Sequence, residues 1–383
     1  VPVCCQTGRC FRWYKDGVTP TVGTPEMLQT SADFLAGRDG LPTSLRAVLG
    51  YYADSGVFDY RSLKLQRRVD DVTDSIVRDA FGAVEEAIAA EFDRDFVDFS
   101  YDTKLVLPAE LTLGYLYRRL DDTDHDDAEA VTRLVIEALV DGDMRDAIND
   151  DEFEDFEVDF PTDDEDIRRV AEVAQETLQT RVTEQFADYP DAVREAYDWA
   201  VDISERHQDE DDHFRELMAG TQDGPDSDFA PGQACERIRE EYKFADFDDP
   251  PTIFDDELDL PYFKTQYDRV GVIYSGMVEM YREAGLSVEE AFEKSIVLAI
   301  VGAQIWLDDI DDFRADMREG QLTPVTAEYL LADTDGEAAT HVVDISEQYL
   351  DLAKDHATAV DSTLTGIATE YIYRSGDPTV LPR

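Results

Sequence analysis

The sequence predicts an all-α protein, a large helical bundle of the isoprenoid-synthase type. Three observations lead to the class. Apolar residues recur at spacings of three and four over long stretches, alternating strand patterns are nearly absent, and the strongest breakers gather in a few places. Residues 1–40 are mixed and rich in Gly, Pro and Thr, and read as an irregular N-terminal segment. From Tyr60 to Ala90 the apolar positions Leu65, Val69, Val72, Ile76, Phe81, Val84 and Ile88 trace one helical face. Helices are expected next over Ala109–Leu120 and Asp127–Ile148. The acidic run 150–166 reads as a solvated insertion, and helices resume from Ile167 to His207 with a break near Tyr189-Pro190. Residues 219–233 are the clearest breaker cluster, and 245–261, with Pro250, Pro251 and Pro261, a second loop. Three strong helices follow: Tyr262–Ala284, Ser287–Met317 with a capping box at Ser287–Glu290, and Thr326–Ala368 with a break near Asp333–Gly336. Only stretches such as Lys104–Leu107 resemble strand. Residues 41–383 thus read as a single large helical domain with acidic insertions near 150–166 and 205–260.

Charge sets the function classes. The chain carries 34 Lys+Arg against 89 Asp+Glu, a formal net charge of −55. Such a surface repels a polyanion, which argues against nucleic-acid binding and against docking on an anionic membrane through a basic face. The 43% of apolar residues is enough to build a core, so the charge is not a mark of disorder. Acidic, Lys-poor and globular is the composition expected of an archaeal halophile, whose cytoplasmic salt screens the self-repulsion within ~3 Å at 1 M. No run reaches the ~20 apolar residues of a transmembrane helix, and no signal peptide opens the chain, so the expected address is the cytoplasm. Cys4, Cys5 and Cys10 lack CxxC spacing and a second ligand pair, which argues against zinc.

The segment with most chemistry is Ser295–Gly320. Ser295–Leu307 is almost wholly apolar, too short for a membrane and too apolar for a surface helix, and therefore reads as core. It runs into Asp308, Asp309, Asp311, Asp312 and Asp316. On an α-helix 308, 312 and 316 stack on one face with 309 beside them, and like charges so placed repel unless a cation bridges them. A carboxylate ledge of this kind suits Mg²⁺, which takes one or two carboxylates with waters and substrate phosphates. The DDxxD pattern alone carries little. Asp is 57 of 383 residues, so the pattern is expected about once by chance, and it occurs at 70–74, 255–259 and 308–312. Context distinguishes the third copy, which ends a buried helix.

Lys264-Thr265, then a helix–turn–helix, then Gly302-Ala303-Gln304-Ile305 leading into the Asp cluster and Gln321-Leu322-Thr323-Pro324 after it, resembles the C-terminal half of class I isoprenoid (trans-prenyltransferase) synthases. Two residues separate Ile305 from Asp308 where the family pattern has one, an offset of about 100° on an α-helix. The resemblance covers residues 262–325. It implies a helical bundle in which two Asp clusters hold Mg²⁺ around a prenyl diphosphate. Asp308, Asp309 and Asp312 would form one wall. Asp121, Asp122 and Asp126 are candidates for the other, with the run at 67–74 a rival. Lys264, Gln304 and Arg318 would contact the diphosphate, and a homodimer is expected.

The remaining candidates read as structural. His207 and His213, six residues apart, do not share a helical face and read as part of a solvated surface, as does His125 within its Asp run. His341 and His356 have no partners in sequence. Phe292, Ile296, Ile300 and Trp306 read as core or as the lining of a lipid pocket. The absence of G-x-S-x-G, P-loop and G-x-G-x-x-G patterns argues against hydrolase, NTPase and Rossmann chemistry. Two readings stay open: a Mg²⁺-dependent enzyme on an allylic prenyl diphosphate, and a non-catalytic helical binding or scaffold protein that keeps the fold without a complete site.

Overall fold

The computed structural model describes residues 25–38, 40–57, 60–121, 123–221 and 232–383. Cys4, Cys5, Cys10 and Asp122 lie outside the described residues. Helices dominate, and strand among the described residues amounts to Phe99–Ser100 paired antiparallel with Glu157–Val158. The class is all-α. Lys104–Leu107, strand-like in sequence, is instead a 3-10 turn over Lys104–Val106 that opens the helix Leu107–Arg119. Pro108 explains the outcome, because its fixed φ suits the first turn of a helix and it lacks the N–H a strand ladder needs. Pro25–Ala36, part of the segment expected to be irregular, is helical.

Contacts divide the chain into two compact units. One consists of Tyr60–Asp198 and Gly276–Val288. Its longest helix, Tyr60–Glu91, buries Val69, Ile76, Val84 and Ile88 on the stripe its sequence marks. The helices Leu107–Arg119, His125–Asn149 and Asp164–Phe186 complete the unit. Asp163 caps the last of these, its side chain accepting from the Glu165 and Asp166 amides. Glu137, fully buried, is held by a two-pronged Arg181 at 2.9 and 2.6 Å and by Gln185 at 2.7 Å. His125 is buried here, not surface-exposed: Arg68 Nη1 lies 3.0 Å from its Nδ1 and Tyr117 packs on its ring. Arg68 and Tyr117 come from outside the local polar run, so that run gave no sign of them.

The other unit gathers the described residues of Val1–Asp59, Trp199–Ser275 and Glu289–Arg383. At its centre the helix Glu290–Ala303 packs on Asp335–Ala359. Phe292, Ile296, Val297, Leu298 and Val301 are all buried, each worth about 2 kcal/mol of transfer from water. Gly302 permits the close approach, since a Cβ there would stand 2.8 Å from the Leu350 Cδ2. The helix starts at Glu290 with Glu289 at its N-cap and no side-chain cap bond, so the capping box expected at Ser287 does not form. A box does form at Thr323, where Thr326 donates its amide to Thr323 Oγ1 at 3.2 Å and the Thr323 amide donates to Thr326 Oγ1 at 2.7 Å.

Candidate functional site

Three helical stretches of this second unit contain a π-turn: Ile238–Lys243, Tyr267–Gly271 and Gln304–Asp309. A π-turn holds one more residue than an α-turn, is costly, and recurs at functional sites. Each supplies one member of an electrostatically linked group: Tyr242, Arg269 and Asp309.

Asp309 is buried at 3% exposure, as few carboxylates are. Its Oδ1 lies 3.5 Å from Gln304 Nε2, the outer limit of a hydrogen bond, and its Oδ2 has no hydrogen-bond partner. Burial pushes its carboxyl up to about 7, the Arg269 guanidinium and Gln304 pull it down, and Asp316 and Asp308 add like charge. Asp316 is pushed up to about 6 by burial and by Asp312, against Arg269. Burial disfavours the Arg269 cation, and Asp309, Tyr242, Asp211 and Asp316 around it more than restore it. Tyr242 is buried and donates its hydroxyl to the Leu322 carbonyl at 2.8 Å.

One and a half turns before Arg269, Lys264 Nζ pairs with Asp268 at 3.1 Å and Glu210 at 3.8 Å. Between them Gln266 is fully buried, with neither amide atom hydrogen-bonded. His207, expected on a solvated face, is 4% exposed, and its Nδ1 has no hydrogen-bond partner. Burial first, then Arg269 and Lys264, lower it to about 4, so its imidazole is neutral at neutral pH. The ring packs on Phe214, which packs edge-on against Tyr242. Buried polar atoms are nearly always paired, so the unpaired atoms of Asp309, His207 and Gln266 along one segment mark room for a polar ligand.

The structure therefore brings Lys264, Gln304, Asp308 and Asp309 into one neighbourhood. It also changes their roles. Asp309, expected beside the carboxylate row, is the buried member, while Asp308 and Asp312 are exposed. The π-turn is the cause, because its extra residue rotates the chain by about 100° relative to a continuous α-helix. Arg318 is exposed, its Nε donating to the Arg314 carbonyl of its own helix. Asp121 and Asp126 are exposed and belong to the other unit. Phe292, Ile296 and Trp306 are buried in the core, with Trp306 Nε1 donating to the Tyr373 carbonyl at 2.9 Å. His341 pairs with Glu328 and His356 with Glu257, partners distant in sequence. Arg269, Tyr242, Gln266 and His207 were missed in sequence. For Arg269 the available signal was its position five residues after the Lys264 motif.

Among the described residues no three His, Cys, Asp or Glu side chains are gathered as a metal ligand set, and no helix is long and apolar enough to cross a membrane. Comparison with protein-family models, with curated proteins and with solved structures finds no match to this chain.

Proposed function

We propose that the Lys264–Asp316 region is the diphosphate end of a class I isoprenoid synthase site, acting on an allylic prenyl diphosphate with Mg²⁺. One observation carries the reading. A buried carboxylate with an unpaired oxygen, Asp309, faces a guanidinium, Arg269, beside Lys264, in a chain whose net charge is −55. Carboxylates and cations held side by side suit a ligand that brings both a divalent cation and phosphate oxygens.

The residues fit Mg²⁺. Burial and like charge hold the Asp309 and Asp316 carboxyls at about 7 and about 6, a strain that a cation beside them would relieve. Asp308, Asp309 and Asp312 would hold it, and Mg²⁺ needs only one or two protein carboxylates when phosphate oxygens and water complete its shell. Bound there, it would neutralise charge developing on the leaving diphosphate. Lys264 and Arg269 bind phosphate oxygens, and Gln304 orients the Asp309 carboxylate. The allylic C–O bond breaks with its electron pair leaving on the diphosphate oxygen, and the cation remains on the prenyl carbon. The extra residue before Asp308, out of step with the family pattern on an α-helix, is taken up by the π-turn Gln304–Asp309.

The test is diphosphate release from geranyl, farnesyl and geranylgeranyl diphosphate in multimolar KCl, with and without Mg²⁺. Release from at least one of them that depends on Mg²⁺ and falls by about 10²-fold or more in Lys264→Gln is the expected result. No release from any of the three would leave the helical binding or scaffold protein as the better reading.

A further inference from the structure

His207 sits between two points at which its chain meets the Lys264–Arg269 segment. Three residues before it, Ser204 Oγ donates to the Arg269 carbonyl at 3.2 Å. Three residues after it, Glu210 pairs with Lys264 at 3.8 Å. The imidazole is thereby held along both cations, 4% exposed, with Nδ1 lacking a partner. The charged and titratable groups around it are Lys264, Asp268 and Arg269 on one side, Arg206 and Glu210 on its own stretch, and Asp211, His213 and Tyr242 around the Phe214 ring.

We infer that His207 is a third ligand for the diphosphate, one that takes up a proton as the anion arrives between Lys264 and Arg269 and donates it in a hydrogen bond to a phosphate oxygen. This inference rests on the reading of the site as a diphosphate site.

The argument is electrostatic. In the free protein the two cations and burial hold the imidazole neutral, its proton affinity lowered to about 4. A multiply charged anion on Lys264 and Arg269 reverses the sign of the field at the ring and supplies an acceptor for its unpaired nitrogen. The proton comes from solvent, so binding and protonation are linked, and affinity for diphosphate rises as pH falls by up to about tenfold per unit. A neutral histidine also leaves Lys264 and Arg269 as the only fixed positive charges facing the ligand until it enters, which limits the self-repulsion of an empty site.

The experiment is titration of inorganic diphosphate, with Mg²⁺ in excess, into wild type and His207→Asn at about pH 6 in two buffers of different ionisation heat. Asn keeps a hydrogen-bonding group near the Nδ1 position without titrating, and the ligand's own protonation cancels between the two proteins. The expected result is tighter binding by wild type, with about one more proton taken up per diphosphate than by His207→Asn. Equal affinity and equal proton uptake would overturn the role of His207, and loss of binding in Lys264→Gln would then show the diphosphate site itself intact. No binding to wild type would overturn both. Should His207→Asn fail to fold, the histidine ring resonances of the wild type decide, since the chain has only five His. A His207 signal that moves to the imidazolium position on adding diphosphate supports the inference, and an unmoved one refutes it.

Discussion

Asp309 illustrates how a single residue can work against the fold that holds it. Its carboxyl rises from the ordinary 3.8 to about 7 through burial, so the folded state binds a proton more tightly than the unfolded chain does. Stability is therefore lost as pH rises from about 4 to about 7 and stays lost above. Asp309→Asn removes that penalty. It is expected to be more stable than wild type by a few kcal/mol at most above neutral pH, with the gap vanishing below about pH 4, as thermal melts across pH will show. A carboxylate kept for its structural pairing would give the opposite sign. His207 carries the mirror-image effect, since a base whose proton affinity falls from 6.5 to about 4 on folding costs stability on the acid side of that window.

At the scale of elements, what the sequence made legible follows from how each signal arises. The helix Tyr60–Glu91 was readable almost to the residue, because its buried stripe is encoded by its own spacing. Ser295–Leu307 was readable as core for the same reason. The π-turns were not. A single extra residue per turn leaves the apolar pattern of the flanks intact, so Gln304–Asp309 looked like a continuation of its helix and Asp309 was placed on the wrong face. The burial of His207 and His125 was equally hidden, because the residues that cover them come from other elements. Pairing of His341 with Glu328 and of His356 with Glu257 belongs to the same class. The cap at Thr323 holds the helix Pro324–Leu331, whose neighbour Leu322 accepts the Tyr242 hydroxyl. Thr323→Ala is expected to lower stability by about 1 kcal/mol in denaturant melts.

For the whole molecule, charge is the dominant fact. With 89 acidic against 34 basic residues, repulsion outweighs attraction when screening is removed. Lowering KCl from several molar to 0.1 M lengthens the Debye screening from ~3 Å to ~10 Å, and the melting midpoint is expected to fall with it. A midpoint that rises at low salt would mean that the ion pairs, and not the net charge, set stability. Against this acidic background a site holding Arg269 and Lys264 beside a buried carboxylate has to be maintained for what it binds. The measurement that tests this most directly is Mg²⁺-dependent diphosphate release from prenyl diphosphates by wild type and Asp309→Asn, assayed beside their melting curves. The account predicts release by wild type and its loss in an Asp309→Asn protein that still melts cooperatively at or above the wild-type midpoint. Undiminished release by Asp309→Asn, or loss of release together with loss of the fold, would contradict it.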